Sequence, residues 1–145
     1  MRQQTVRVTG FDFYRLHNLI EGPRSMDPHE AVNVDLLERR LYEAEIMPAD
    51  RIGPDLVTIN SEVQVEDLDA HEEIVFRVVL PAAADPASGN VSVLAPLGMA
   101  VPGRRIGDNV TCETPGGLHR LRVEGIVYQP ERVGVDFESR GRRYA

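Results

Sequence analysis

The hydrophobic period of this chain changes once, across residues 48–56 (PADRIGPDL), where two prolines and a glycine interrupt any regular pattern. Upstream, apolar residues recur every three or four positions. Phe13, Leu16, Leu19 and Ile20 share one helical face and Gly22-Pro23 ends the run, which predicts a first helix of about three turns. Asp27-Pro28-His29-Glu30 then supplies an N-cap acceptor, a proline at the first helical position and a glutamate at the third. Val34, Leu37, Leu41 and Ala44 form an apolar seam that Pro48 stops, with Asp35, Glu38, Arg39, Arg40 and Glu43 on the other faces. Two amphipathic helices joined by a short Gly-Pro loop predict an antiparallel hairpin. At ~1.5 Å per residue its second helix, of about nineteen residues, is roughly 28 Å long and its first roughly 18 Å.

Downstream the period is two. Val63 and Val65, then Ile74, Phe76, Val78 and Leu80, alternate along two strands that flank the turn Asp69-Ala70-His71-Glu72. Residues 81–90 read as a loop, and the run from Val91 begins as a strand before Pro96 opens a short helix. After a turn at 103–108, Val110–Thr114 and Leu118–Val127 form a hairpin across Pro115-Gly116-Gly117. The predicted class is α+β: a short N-terminal antiparallel helical hairpin of the coiled-coil type, then four or five antiparallel strands with one short helix. The expected bounds are 1–48 for the hairpin, 49–60 for a linker, 61–138 for the C-terminal domain and 139–145 for a frayed basic tail, SRGRRYA.

Composition limits the functions available to this architecture. The chain has 145 residues and a net charge of −7, which argues against autonomous DNA or RNA binding and for a protein partner. All sixteen basic residues are arginine, as readily a coding bias as a functional demand. One cysteine, Cys112, excludes an internal disulfide or a cysteine-rich zinc site. No run approaches the ~20 apolar residues of a membrane span, and MRQQTVRVTG lacks the apolar stretch of a signal peptide, so a cytoplasmic location without membrane attachment is expected.

Catalytic patterns are weak. His17, His29, His71 and His119 make no HxxxH or HExxH pair, Gly103 and Gly116-Gly117 fit turns rather than a phosphate loop, and Cys112 sits in a strand where a buried thiol is inert. Neither a cofactor nor a catalytic residue is expected. Glu21, Asp27 and Glu30 could hold a divalent cation at the hairpin tip, but capping already accounts for Asp27 and Glu30. Six acids between Glu62 and Glu73, with no arginine among them, form either a solvated edge or a docking surface for an arginine-rich partner.

Four segments carry a resemblance: Val57-Thr-Ile-Asn-Ser61, Ser92-Val-Leu-Ala-Pro-Leu-Gly98, Ala100-Val-Pro-Gly-Arg-Arg-Ile-Gly-Asp108 and Val127-Tyr-Gln-Pro-Glu131. With the short hairpin, they resemble the Rnk family, the regulators of nucleoside diphosphate kinase, within the Gre-factor superfamily of bacterial RNA polymerase regulators. The resemblance spans about residues 10–137. It implies an FKBP-like C-terminal domain that docks on the β′ rim helices at the polymerase secondary channel. The contact positions carried over are Leu94, Ala95, Pro96, Leu97 and Gly98, with Ala95 where the family's docking element has serine. Pro102 is a second departure and should end the short helix early.

Cleavage-stimulating Gre factors reach the polymerase active site with a much longer hairpin whose tip acids help hold Mg²⁺. The length expected here implies a regulator that binds without stimulating cleavage. The alternative is a cleavage and elongation factor that delivers Mg²⁺ through Asp27 and Glu30. Prolyl isomerase activity, suggested by the fold alone, is disfavoured because only Phe76 and Tyr128 are aromatic between residues 61 and 130.

Overall fold

The computed structural model describes residues 6–22, 28–114 and 116–131, an α+β arrangement with a curled sheet. Strand β1 (Arg7–Thr9) leads directly into helix α1 (Gly10–Glu21), because Thr9 caps it: the Thr9 hydroxyl accepts from the Asp12 amide at 2.9 Å. Helix α2 (Pro28–Tyr42) packs on α1 and is followed by strand β2 (Glu45–Met47), which pairs in parallel with β1. The capping role expected of Asp27 lies outside the described residues.

This N-terminal part differs from expectation in one respect. The apolar seam continues through Ala44, yet α2 stops at Tyr42, and the Glu45 amide donates to the Val6 carbonyl at 2.8 Å. Pairing with β1 takes residues that helical periodicity alone assigns to α2. The helix is therefore fifteen residues, about 22 Å, rather than nineteen.

Five strands build the main sheet in the order β5-β4-β3-β7-β6. They are β3 (Glu62–Asp67), β4 (Glu72–Val79), β5 (Asn90–Ser92), β6 (Asn109–Thr114) and β7 (Gly117–Tyr128), with the short helix α3 (Pro96–Ala100) between β5 and β6. Both expected hairpins are present. The expectation of a wholly antiparallel sheet fails at β5, which runs parallel to β4: two single-turn helices, Pro81–Ala83 and Pro86–Ser88, carry the chain back before it pairs. Irregular register between β3 and β7 near Val63 and Val65 gives β7 room to bend.

The sheet's inner face follows the alternation. Val63, Val65, Phe76, Val78, Val110, Leu121 and Val123 are buried in one cluster that also takes in Leu16 and Ile20 of α1 and Val34, Leu37 and Leu41 of α2. The helices thus cover the sheet as well as each other. Residues 49–60 contribute to the same cluster: Val57 and Ile59 are fully buried, and Val57 exchanges backbone hydrogen bonds with Arg104 and Gly103. Gly103 has φ of +81°, and a Cβ there would meet Val6 and Arg7, so glycine is what lets β1 approach. No helix of the described residues is long and apolar enough to cross a membrane.

Candidate functional site

The segment 94–98 divides into an outward and an inward part. Ser92 turns the chain: its hydroxyl accepts from the Leu94 amide at 3.0 Å and its carbonyl accepts from Ala95 at 3.0 Å. Ala95 is the N-cap of α3 but offers no side-chain acceptor, and Pro96 opens the helix. Pro96 is exposed and Ala95 and Leu97 are half-buried, whereas Leu94 and Gly98 face inward. A Cβ on Gly98 would lie 1.9 Å from the Ser92 carbonyl oxygen, so glycine holds α3 against the end of β5. Pro102 follows the end of α3 at Ala100 by two residues.

Periodicity did not place α2 beside this element. The Asn33 side-chain amide donates to the Leu94 carbonyl at 2.8 Å, and the Arg40 guanidinium donates to the Met99 carbonyl at 2.6 Å. A groove of about 420 Å³ runs between α2 and α3 and reaches Thr111 and Glu113 of β6. Val32 and Leu36, 57% and 42% exposed, continue the apolar surface of Pro96 and Met99 along α2. Their i, i+4 spacing outside the Val34-Leu37-Leu41 seam was the available sequence signal.

The remaining candidates sort differently. Glu30 lies in the first turn of α2, while Asp27 lies outside the described residues. Among the described residues no group of three or more His, Cys, Asp or Glu side chains is placed to hold a metal. Burial, and then the charge of Asp67, push the Cys112 thiol above its ordinary pKa, which suits an inert side chain.

The acids at 62–73 are partly paired across strands. Asp67 accepts from the Ala70 and Asp69 amides at 3.0 Å and faces His119 Nδ1 at 3.1 Å. Asp69 meets Arg120 at 2.7 Å, and Glu62 meets Arg77 at 3.4 Å. The side-chain partners Arg77, His119 and Arg120 are 15 to 52 residues away in the chain, which is why the run looked uncompensated. The amide hydrogen bonds hold the Asp67 carboxyl below its ordinary range, and Arg120 does the same for Asp69.

The Tyr-Gln-Pro-Glu motif fastens the end of β7 to the chain around residue 55. The Gln129 side-chain amide donates to the Gly53 and Leu56 carbonyls at 2.8 and 2.7 Å. Thr58 donates to the Glu131 carboxylate at 2.7 Å and shares a 2.9 Å hydrogen bond with Ser61. Asp12 of α1 joins this junction, accepting from the Ile59 amide at 2.9 Å and from Arg15. Burial is the main cause pushing its pKa up, against those two hydrogen bonds, and the Glu131 charge adds to it.

A curled sheet with α3 at one end, helices packed on it and a polar junction behind it is the arrangement of a Gre-type regulator. Residues 52–128 match the family described as transcription elongation factor, GreA/GreB, C-term, and the chain belongs to that family. The regulator of nucleoside diphosphate kinase of Escherichia coli K12 is 34% identical over 92% of this chain and 97% of its own length. The transcription elongation factor GreA of Clostridium perfringens SM101 is 38% identical over 62% of this chain and 57% of its own length. A solved GreA/GreB transcription elongation factor from Nitrosomonas europaea superposes with a TM-score of 0.68 at 31% identity, covering 87% of this chain and all of its own. These relatives are regulators and elongation factors.

Proposed function

We propose that this protein is a cytoplasmic transcription regulator that binds bacterial RNA polymerase at the entrance of the secondary channel. The described part of the C-terminal region, from β3 to the end of β7, forms the Gre-type, FKBP-like domain that docks on the β′ rim helices, and helices α1 and α2 form a short coiled-coil hairpin at the channel mouth. The observation that carries the reading is the exposed Pro96 at the start of α3, flanked by half-buried Ala95 and Leu97. Those three side chains make the contact. Leu94 and Gly98, which face inward, set its shape.

The protein does not stimulate transcript cleavage, because a second helix of about 22 Å falls short of the catalytic Mg²⁺. It occupies the entrance and competes with longer channel regulators. With a net charge of −7 it has no autonomous affinity for DNA.

The test is binding of the purified chain to core RNA polymerase with a Gre factor as competitor. Competitive binding is expected, and Pro96→Asp should weaken it by about 2 kcal/mol or more while leaving the circular dichroism spectrum intact. Unchanged affinity in the folded variant would move the interface elsewhere. Cleavage of backtracked RNA that disappears in Asp27→Asn with Glu30→Gln would instead establish the cleavage-factor alternative.

A further inference from the structure

Helix α2 carries more apolar surface than its packing uses. Val34, Leu37 and Leu41 are buried in the core, whereas Val32 and Leu36, one turn apart on another face, stay exposed and belong neither to the core cluster nor to its margin. Both line the groove of about 420 Å³ between α2 and α3. Pro96, Met99 and Ala100 of α3 line it too, so the exposed start of the proposed docking element opens into the same groove. Apolar residues about 6 Å apart along one helix, with an apolar ridge on a second helix beside them, leave a furrow that takes the side-chain ridge of a third helix.

Two hydrogen bonds fix the walls relative to each other. Asn33, next to Val32, donates to the Leu94 carbonyl, and Arg40, one turn beyond Leu36, donates to the Met99 carbonyl, so α2 is tied to the chain on both sides of Pro96. The surface is therefore formed before any partner arrives, which keeps the ordering cost of binding small. Arg39 and Glu43 of α2 and Glu113 of β6 also line the groove, charged side chains beside an apolar strip, as in interfaces that form and separate.

We infer that Val32 and Leu36 belong to the polymerase-docking surface, and that the polymerase helix meeting Pro96 seats its apolar side chains between α2 and α3. This rests on the reading of Pro96 as a polymerase contact and extends that contact to the N-terminal layer. Helix α2 is then one wall of the docking site as well as part of the hairpin.

Binding of the full chain to core RNA polymerase, combined with hydroxyl-radical labelling of side chains, tests this. Val32→Ala with Leu36→Ala should weaken binding about tenfold. The thermal midpoint of that variant should not fall, because both side chains are exposed and alanine favours the helix. Labelling of Leu36 should decrease when polymerase is added, and labelling of Tyr14, exposed on α1 and outside the groove, should not. Parent-like affinity in the double variant, alongside the expected loss in Pro96→Asp, would overturn this inference and leave the Pro96 contact standing. No binding by the parent chain, or no effect of Pro96→Asp, would remove the docking reading and the inference with it. Protection of Leu36 that appears as the free chain dimerises in sedimentation, with none added by polymerase, would also overturn it and make a second copy the occupant.

Discussion

The N-terminal layer and the sheet are held by different kinds of force. The sheet is closed by continuous strand ladders and an inner face of buried Val, Leu and Phe side chains. The helical layer contributes Leu16, Ile20, Val34, Leu37 and Leu41 to that core, but its registration rests on a few directed contacts: Asp12 on the Ile59 amide, Asn33 on the Leu94 carbonyl, Arg40 on the Met99 carbonyl. Apolar burial decides that the layer adheres. Because dispersion and hydrophobic attraction are nearly non-directional, the polar contacts decide where it sits. The two junction residues on α2 bond the backbone on either side of Pro96, so the position of the helices and the shape of the proposed docking element are coupled.

The largest expected effect comes where α3 meets the sheet. Gly98→Ala drives a Cβ into the Ser92 carbonyl and should cost on the order of 3 kcal/mol in denaturant melts, with α3 displaced. A near-neutral result would mean that α3 is loosely held and would remove the contrast between the two regions.

Asp12→Ala comes next. It leaves the buried Ile59 amide without its acceptor and should cost about 1–3 kcal/mol, with hydrogen exchange rising first in α1. Asp12→Asn keeps an acceptor and should cost less.

The same residue separates the two regions by pH. Folding raises the Asp12 pKa above 3.8, so the folded chain takes up that proton before the unfolded chain does. Stability from Asp12 therefore increases as pH falls through the raised value and is lost as pH rises again. Asp67 and Asp69, at the turn of the sheet, are held below 3.8; their contribution is present above that value and disappears as pH falls through the lowered values. Thermal melts between pH 3 and 6 should show Asp12→Asn removing the first dependence and Asp67→Asn weakening the second. Identical profiles for the two variants would break the comparison.

A smaller effect of opposite sign is expected at the N-cap of α3. Ala95→Ser supplies the missing acceptor and should stabilise the chain by about 1 kcal/mol in denaturant melts. If the gain is absent, the turn at Ser92 already satisfies the first amides of α3.

Both sheet hairpins were legible because a half-buried strand writes its inner face as every second residue, as Val63-Val65 and Leu121-Val123 do. Helix α1 was legible for the analogous reason. The short pair β1 and β2 was not: three residues are too few for a period, and each strand exists only because the other is brought beside it by the intervening helices. Nor did Val57 and Ile59, inside a proline- and glycine-rich stretch, declare that they belong to the core. At the candidate site, Pro96 and the helix it opens were readable from proline's fixed φ. The inward turn of Leu94 and Gly98 was not, because it depends on the close approach of α3 to Ser92.

Local periodicity and turn chemistry by themselves determined the α+β class, the two hairpins and the position of α3, since these depend on neighbours a few residues apart. Only the tertiary structure decided the end of α2, the parallel entry of β5, the partners of the acidic run and the contacts of Asp12, Asn33 and Arg40. Each of those joins groups that are distant along the chain, and their energies exist only once the sheet and the helices have met.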